Sequence, residues 1–295
     1  SAKELSIWGT KMEYDIITKN KIKYITFKRL GNMPFIKHGF STRLGGISEG
    51  VYSYLNLGFK TLDCPDKVKE NIRKFALAVG VNYENLVMSD QVHGDTIKIV
   101  TNKNKGKDFP LQGDNKGIDG LVTDIPGIPL IAIFADCVPI FFVDTVKKII
   151  GLAHAGWKGT KLKIGEKMVQ TMVNVYGSKT GEITAVIGPS IGKCCYEVGK
   201  VVIEQFNKTF EDTSTFVEIS RVSFNRLSGH ENCSPNFQYH LDLWEANRIV
   251  LNGAGILNKN IIISNLCTGC NQDLFYSHRK EKGNTGRMGA IIQLV

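Results

Sequence analysis

Two histidines and one cysteine are the side chains of this sequence best suited to chemistry. His93, Cys137 and His154 each fall where a predicted strand meets a loop. Two imidazoles and one thiolate suit zinc, and three protein ligands leave a fourth position for water or substrate. An open site of this kind lowers the pKa of bound water toward 7. The same residues also suit a Cys–His nucleophilic pair, in which an imidazole draws the thiol toward thiolate. The residues alone do not separate these two readings.

The segment 128–160 must position two of these three residues. Three short apolar runs, rich in β-branched and aromatic residues, predict buried strands at Leu130–Phe134, Pro139–Val143 and Ile149–Ala153. Cys137 lies between the first two strands, and His154 follows the third. A thiol and an imidazole are therefore expected at strand ends, where sheet proteins commonly carry their chemistry.

The rest of the chain predicts one α/β domain over residues 1–295, because no repeat or linker divides it. Met12 is a candidate start, so residues 1–11 are interpreted as an extension. Loop or irregular structure is expected over Lys103–Asn115 and Arg221–Gln238. Further strands are predicted at Ile22–Phe27, Phe35–Ser41, Leu86–Ser89, Thr96–Val100, Ile183–Ile187, Ile261–Ser264 and Met288–Leu294. Helices are predicted at Asp66–Val79, Lys161–Tyr176, Gly199–Phe206 and Leu241–Leu251.

Composition and charge favour a soluble globular protein. Hydrophobic residues make up 42% and charged residues 22% of the 295 residues, and no apolar run approaches a membrane span. The N-terminus lacks the layout of a signal peptide, so we expect a cytoplasmic protein without a membrane partner. The net charge of +9 comes mostly from scattered lysines, so no nucleic-acid partner is expected. This net charge remains compatible with a basic pocket for a phosphate-bearing small molecule.

Seven cysteines in a chain without an export signal indicate reduced thiols rather than a disulfide framework. Cys194 and Cys195 are adjacent and cannot readily bridge each other. Cys267 and Cys270 form a lone CxxC, whereas a structural zinc site needs a second pair or histidines nearby. Only Cys233 and His278 are loosely within range, so this motif is interpreted as structural or incidental.

A polar, glycine-containing segment follows the predicted strand at Phe35–Ser41. In this segment Arg43 offers a bidentate fork, while Gly45 and Gly46 allow close approach of the backbone. Such a combination can bind an anion. An ordinary polar loop is the alternative interpretation.

Six motifs in the same order resemble the YfiH-type, laccase-domain family, and together they extend from about His38 to Ile292: GFSTRLGG, SDQVHGD, ADCVPI, GLAHAGWKGT, GPSIGKCCYEVG and FYSHRKEKGNTGRMGAI. The resemblance implies a four-layer α/β/β/α fold related to the catalytic domains of cytotoxic necrotising factors. It also implies a metal site at His93, Cys137 and His154. Arg43 matches the arginine thought to hold phosphate in that family, which places it with Cys137 and His154 among the catalytic residues.

The activities that the resemblance implies are on purine nucleosides: phosphorolysis of adenosine, inosine, guanosine and methylthioadenosine, and deamination of adenosine. Polyphenol oxidase is an older label for the family. A four-copper oxidase needs on the order of ten histidines, and this chain has six. The H-x-E and P-C-x-x-C signature of zinc cytidine deaminases is absent. Phosphorolysis fits better, since it needs an anion cradle such as Arg43 with the backbone of Gly45 and Gly46.

The leading hypothesis is a zinc-dependent purine nucleoside phosphorylase with adenosine deaminase activity, in which copper is the alternative metal. Its partners are purine nucleosides and phosphate, and the oligomeric state is a monomer or a homodimer. Lys158, Arg279 and Arg287 are further candidate contacts to substrate or phosphate. His278 departs from the tyrosine more often found before the motif's arginine. The alternatives are a Cys–His amidase acting on cell-wall precursor peptides, a copper-dependent polyphenol oxidase, and a non-enzymatic metal-binding module.

Overall fold

The computed structural model describes residues 12–106, 116–222 and 236–295. In these ranges the strands are β1 (Tyr14–Lys19), β2 (Ile22–Phe27), β3 (Ile36–Ser41), β4 (Val87–Met88), β5 (Ile97–Ile99), β6 (Gly120–Thr123), β7 (Leu130–Phe134), β8 (Val138–Asp144), β9 (Ile149–Ala155), β10 (Ile183–Ile187), β11 (Glu197–Val198), β12 (Val217–Val222), β13 (Asn236–Leu241), β14 (Ile261–Ile263) and β15 (Met288–Leu294). The α-helices are α1 (Lys28–Gly31), α2 (Pro65–Val79), α3 (Trp157–Lys161), α4 (Ile164–Tyr176), α5 (Lys200–Asn207) and α6 (Leu243–Gly253).

Two six-stranded sheets form the centre of the described fold. The first has the strand order β1-β2-β3-β15-β7-β4, and the second has the order β14-β10-β8-β9-β6-β5. Most neighbours are antiparallel, but β4 runs parallel to β7, β14 to β10, and β5 to β6. A smaller antiparallel sheet has the order β11-β13-β12. The prediction of mixed sheets is thus confirmed.

Successive side chains of a strand point to opposite faces of its sheet, so each sheet can pack against a different layer on each face. In β8, Phe141 and Val143 point into a core that the two sheets share, whereas Ile140 and Phe142 pack with residues of α4 and α6. On the far side, α2 covers the first sheet with its apolar stripe, which contains Val68, Ile72 and Phe75. The layers therefore run helix, sheet, sheet, helix, which confirms the predicted four-layer arrangement.

The connection between β7 and β8 carries the chain from the first sheet into the second. This connection is the tripeptide from Ala135 to Cys137, and Asp136 within it adopts the left-handed region with φ 77°. Pairing of β8 with β9 then sets Pro139 opposite His154. Cys137 and His154 therefore become neighbours through strand register.

Two sequence-based element predictions are wrong in part. The helix predicted over Lys161–Tyr176 is divided into α3 and α4, because Lys163 adopts a left-handed φ of 57° between them. The ends of the segment predicted as irregular, Arg221–Gln238, belong to the strand pair β12–β13, and its residues 223–235 lie outside the described ranges. Residues 107–115 of the predicted loop and the extension over residues 1–11 also lie outside them.

Among the described residues, no helix combines the length and the apolar character that crossing a membrane would require.

His38 on β3 is a buried imidazole that the fold holds in its neutral form. It is 6% exposed, its ring stacks on Phe27, and its Nε2 accepts a hydrogen bond of 2.8 Å from the backbone N–H of Phe27. Burial lowers the pKa of His38 to about 4. In the unfolded chain this imidazole titrates near its ordinary pKa of about 6.5.

Replacing His38 with glutamine is expected to reduce the fall in the free energy of unfolding in mild acid. Below pH 6.5 the unfolded wild type binds a proton that the folded protein excludes, so its stability is lost as the pH falls from 6.5 toward 4. Over that window the free energy of unfolding should fall by roughly 3 kcal/mol more for the wild type than for the variant. The amide oxygen of the variant can still accept a hydrogen bond from the backbone N–H of Phe27. Urea unfolding at pH 7 and at pH 4.5 measures this difference. An equal fall in the free energy of unfolding between the two pH values for both proteins would contradict this expectation.

Candidate metal centre and its cavity

His93, Cys137 and His154 meet at one place in the structure. Their ligand atoms all lie within 4.8 Å of one another. The two imidazole rings are 4.9 Å apart between centroids and stand edge to face at 79°. His154 is buried at 3% exposure, whereas His93 is exposed and Cys137 is half-buried. The site thus has a closed side at His154 and an open side at His93.

The connection after β9 keeps the space beside these ligands free of side chains. A Cβ at Gly156 would lie 2.9 Å from Cys137 Sγ and 3.2 Å from His93 Cδ2. Real Cβ atoms essentially never approach as closely as 2.9 Å, so glycine is required here if the three ligands are to converge. His93 itself adopts the left-handed region with φ 64°, a backbone conformation that is uncommon for residues other than glycine.

Asp119 organises the two histidines, although no motif in the sequence marks it as a site residue. It is fully buried just before β6. Its carboxylate accepts hydrogen bonds from the backbone N–H groups of Val92, His93 and Gly94 at 3.2, 3.0 and 2.7 Å. The same carboxylate lies 2.9 Å from Nδ1 of His154. Because Nδ1 is engaged, Nε2 is the ring nitrogen of His154 left to bind a metal.

Electrostatics favour an ionised thiol at this site. Burial by itself would raise the pKa of Cys137, but the charge and hydrogen bond of His154, together with His93, outweigh burial and lower that pKa to about 6. Burial would likewise lower the pKa of His154, but Cys137 and Asp119 raise it to about 9. The two shifts both favour a thiolate beside an imidazolium. A thiolate is also the form in which cysteine binds a metal.

Replacing Asp119 with asparagine is expected to weaken metal binding roughly 10- to 100-fold, as removal of a carboxylate that orients a metal-binding histidine generally does. One amide oxygen cannot replace a carboxylate that accepts from four donors, so the turn at His93 loosens as well. Competition with a chromophoric chelator measures the affinity. Asp124→Asn, at an exposed position beyond β6, is the matched control. Equal affinities for the two variants would refute the orienting role.

Asp136 organises the other side of the site. Its carboxylate accepts hydrogen bonds from Thr268 Oγ1 at 2.6 Å, from Ser277 Oγ at 3.1 Å and from the backbone N–H of Arg279 at 2.7 Å. Asp136 is only 7% exposed, so these bonds satisfy a buried charge. The residue next to Cys137 therefore attaches two distant C-terminal segments to the wall of the site.

The three candidate ligands line a cavity of about 450 Å³, which is a size typical of small-molecule sites. Its apolar wall contains Phe59, Met88, Ile133, Trp157, Ile191, Tyr196 and Leu243. Its basic groups are Lys60, His278, Arg279 and Arg287. The cavity thus combines a potential metal site, an apolar surface and two guanidinium groups.

The two cavity arginines differ in their surroundings. Arg279 lies over the ring of Tyr196, at 5.2 Å from its centroid, and donates to the carbonyl oxygen of Glu197. Arg287 donates to the carbonyl oxygens of Thr285 and Gly286 and makes no ion pair with a carboxylate of the described residues. Burial lowers the pKa of Arg287. A partly desolvated guanidinium without a carboxylate partner is a good receptor for an anion.

Arg43 does not line the cavity. Its guanidinium lies 3.2 Å from a carboxylate oxygen of Glu281, donates to the carbonyl oxygen of Gln272 and sits over the ring of Tyr276. Glu281 in turn accepts from the backbone N–H of Ser277. Arg43 therefore holds the turn that carries His278 and Arg279.

Gly45 and Lys158 also lie outside the cavity wall. Gly45 has a left-handed φ of 99°, and a Cβ there would lie 2.1 Å from the carbonyl oxygen of Lys21, so this glycine is needed for a close approach to the β1–β2 turn. Lys158 is exposed on α3. Of the five tentative contacts to substrate or phosphate, the structure brings Arg279 and Arg287 to the site.

The donor set fits a divalent metal with a preference for nitrogen and sulfur. One thiolate and two imidazoles suit zinc, and copper prefers similar ligands. A metal held by these three donors would have a fourth position available for water or substrate, and all three residues line the cavity. The chemistry of the residues therefore accepts such a metal without choosing between the two.

The chain is similar in sequence to known proteins over most of its length. A family model described as multi-copper polyphenol oxidoreductase laccase matches residues 37–295. The chain is 40% identical over 272 residues to purine nucleoside phosphorylase YlmD of Geobacillus stearothermophilus, covering 90% of this chain and 93% of that protein. It is 34% identical over 250 residues to adenosine deaminase RL5 of an unknown prokaryotic organism, covering 84% and 90% of the two chains.

A solved structure extends the likeness to three dimensions. The crystal structure of the Bacillus licheniformis hypothetical protein YfiH superposes with a TM-score of 0.83 at 36% identity, covering 96% of this chain and 99% of that one. The resemblance seen in the six sequence motifs is thereby confirmed, and so is the fold. The chain belongs to the laccase-domain family, whose model is described as multi-copper polyphenol oxidoreductase laccase.

Proposed function

We propose that this protein is a zinc-dependent purine nucleoside phosphorylase that also deaminates adenosine. The observation that carries the proposal is the composition of one cavity, in which the His93, Cys137 and His154 site faces the same space as Arg279 and Arg287. A nucleoside phosphorylase needs an anion receptor and an apolar surface for the base within one site, and this cavity offers both. The relatives named purine nucleoside phosphorylase and adenosine deaminase support the same substrate class.

Arg287 is the best candidate for binding phosphate. Its guanidinium is partly buried and its hydrogen bonds go to carbonyl oxygens, so it makes no direct ion pair with a described carboxylate, although Asp136 and Glu281 lie near enough to attract it. Arg279 also lines the cavity, where it contacts Tyr196 and Glu197, and it can contribute a second guanidinium to the receptor. Charge-assisted hydrogen bonds from two guanidinium groups would fix phosphate and orient one of its oxygens toward the ribose.

The purine fits the apolar part of the cavity. Trp157 and Tyr196 offer aromatic faces, and Met88 and Ile133 offer aliphatic surface. Burial raises the pKa of Tyr196, so its hydroxyl remains protonated and can donate a hydrogen bond. Stacking against these walls would hold the purine ring, which adenosine, inosine, guanosine and methylthioadenosine all share.

Phosphorolysis forms a bond between a phosphate oxygen and C1′ of the ribose and breaks the bond from C1′ to the purine, which leaves with a proton. The cavity residues bind the anion, exclude bulk water and hold the two reactants in contact. Deamination adds water at C6 of adenosine and releases ammonia. A zinc ion at the three ligands would supply Lewis-acid chemistry and an activated water. Asp119 keeps His154 in the orientation that such a site needs.

The same residues support a second candidate, a Cys–His hydrolase. Cys137, His154 and Asp119 form a connected series in which the pKa of the thiol is lowered to about 6 and the imidazole is oriented by a buried carboxylate. That arrangement suits a nucleophilic cysteine acting on an amide such as a cell-wall precursor peptide. A copper-dependent oxidase is less well supported, because the metal-capable clusters of the described residues contain two histidines in all.

The experiment that tests the proposed function uses metal-replete protein with inosine, with and without phosphate. Chromatography should show hypoxanthine and ribose 1-phosphate in equal amounts, and only when phosphate is present. Adenosine without phosphate should yield inosine and ammonia. No phosphate-dependent release of hypoxanthine would refute the phosphorylase. Peptide hydrolysis that survives complete chelation would establish the hydrolase instead.

A further inference from the structure

Four cysteines outside the cavity form a second cluster. Cys194, Cys195, Cys267 and Cys270 have sulfur atoms that all lie within 4.8 Å of one another, and the structure has them as free thiols. The sequence shows a lone CxxC at Cys267 and Cys270 without a second pair at close spacing. The fold supplies that second pair from a segment more than seventy residues away.

The parallel pair β10–β14 brings the two segments together. The pairing continues beyond the strands as a bridge between Ser190 and Cys267. Ser190 donates its backbone N–H to Leu266 at 3.1 Å, and Thr268 donates its own to the carbonyl oxygen of Ser190 at 3.0 Å. Both cysteine pairs therefore lie on loops that leave the same end of neighbouring strands, and the backbone fixes the distance between those loops.

The spacing of the sulfurs matches a tetrahedral metal site. Cys270 Sγ lies 3.4 Å from Cys194 Sγ and 3.5 Å from Cys195 Sγ. A tetrahedron with zinc–sulfur bonds of 2.3 Å has edges of about 3.8 Å. A disulfide, by contrast, requires about 2.05 Å between its sulfurs. The cluster is thus too widely spaced for disulfides as it stands, and its four sulfurs are close enough together to bind one ion.

Backbone features at the cluster also fit bound thiolates. The N–H of Gly192 donates to Cys267 Sγ at 3.3 Å, and Cys267 is buried. A Cβ at Gly269, inside the CxxC, would lie 2.9 Å from Cys195 Cβ and 3.0 Å from its Sγ. Glycine at this position therefore lets the two pairs approach. The Cε atom of Lys280 lies 3.3 Å from the Cβ position built at Gly269. This lysine therefore brings a positive charge close to the cluster.

We propose that Cys194, Cys195, Cys267 and Cys270 bind a structural zinc ion, distinct from the metal at His93, Cys137 and His154. Four protein thiolates fill a tetrahedral zinc and leave no position for substrate, so this site is structural and not catalytic. Binding converts four thiols into thiolates, releases four protons and involves no change of oxidation state. A lysine next to the resulting dianion offsets part of its charge.

The second site would act on the cavity by joining two of its supporting loops. One loop carries Ile191 and Tyr196 into the cavity wall. The other carries Thr268, whose hydroxyl donates to Asp136 next to Cys137. A zinc ion joining these loops would therefore hold the wall of the cavity without touching substrate.

Elemental analysis of zinc-replete, reduced protein tests the proposal. The wild type should hold about two zinc ions per chain, and Cys270→Ser and Cys137→Ala about one each. The double variant should hold none, and Cys64→Ser, which alters an exposed thiol outside both clusters, should match the wild type. One zinc in the wild type that is lost in Cys137→Ala would overturn the second site. So would retention of both ions in Cys270→Ser, or iron in place of zinc.

Two further measurements keep the test sharp if Cys270→Ser folds poorly. Cobalt(II) bound to Cys137→Ala protein should show the intense thiolate-to-cobalt absorption of a four-sulfur site, and a weak spectrum typical of nitrogen or oxygen ligands would refute it. The intact mass of the wild type should equal that of fully reduced chain. A mass lower by two hydrogens, with no second zinc, would show a disulfide in place of the metal. Neither result depends on nucleoside turnover, so failure of the proposed function would leave this test unaffected.

Discussion

Replacing Cys137 with alanine is expected to remove the metal from the cavity and to lower phosphorolysis of inosine on the order of 100-fold or more. The thiolate is the anionic member of the ligand set, and its charge holds the pKa of His154 high through direct attraction. With alanine there, two neutral imidazoles remain, and zinc binds them far more weakly. Metal content and initial rates, measured on the same preparations, test this expectation.

Comparison with chelated wild type decides what Cys137 does. If it acts as a metal ligand, chelated wild type and Cys137→Ala should be equally inactive, and zinc should restore activity to the wild type alone. If it acts as a nucleophile, chelated wild type should stay active while the variant does not. Cys64→Ala, at an exposed thiol far along the chain from the site, should behave as wild type in both assays.

Replacing Arg287 with glutamine is expected to raise the KM for phosphate roughly 10- to 100-fold and to change the KM for inosine much less. A hydrogen bond between charged groups is worth about 1.5 to 3 kcal/mol, which corresponds to this range. The effect should be selective, because Arg287 lines the cavity and its bonds to the carbonyl oxygens of Thr285 and Gly286 use Nη1, which leaves Nη2 to donate to an anion. Initial rates over a matrix of phosphate and inosine concentrations separate the two constants.

Two comparison variants make this result decisive. Lys179→Gln removes a positive charge from a side chain that is 80% exposed, so it shows what loss of charge alone does. Arg43→Gln tests the sequence-based prediction that Arg43 holds phosphate. If Arg43 acts through Glu281, its loss should disturb both substrates together, whereas a direct phosphate contact should reproduce the selective effect of Arg287→Gln. A larger phosphate effect for Arg43 than for Arg287 would reverse the assignment.

Local patterns in the sequence determined most of the elements. The strands β7, β8 and β9 are apolar runs in which alternate residues face two different cores. Because both faces are apolar, the sequence pattern predicts that these strands are buried on both sides. The helix α2 ends where predicted, at Gly80, because only a left-handed residue with φ 87° fits there. His93, Cys137 and His154 could also be singled out as candidate metal ligands, since a thiol and two imidazoles were predicted where strands meet loops.

Tertiary structure alone decided which polar groups meet. Asp119 is an ordinary acidic residue in the sequence, and its role appears only when β6 pairs with β9 and sets it against His154. The four-cysteine cluster depends in the same way on the pairing of β10 with β14. Arg43 carried a plausible anion-binding pattern, but Glu281, distant in sequence, takes its guanidinium. The periodicity of a chain encodes which side of an element is buried, whereas the partner of a polar side chain depends on strand order and register, which are set by contacts between distant segments.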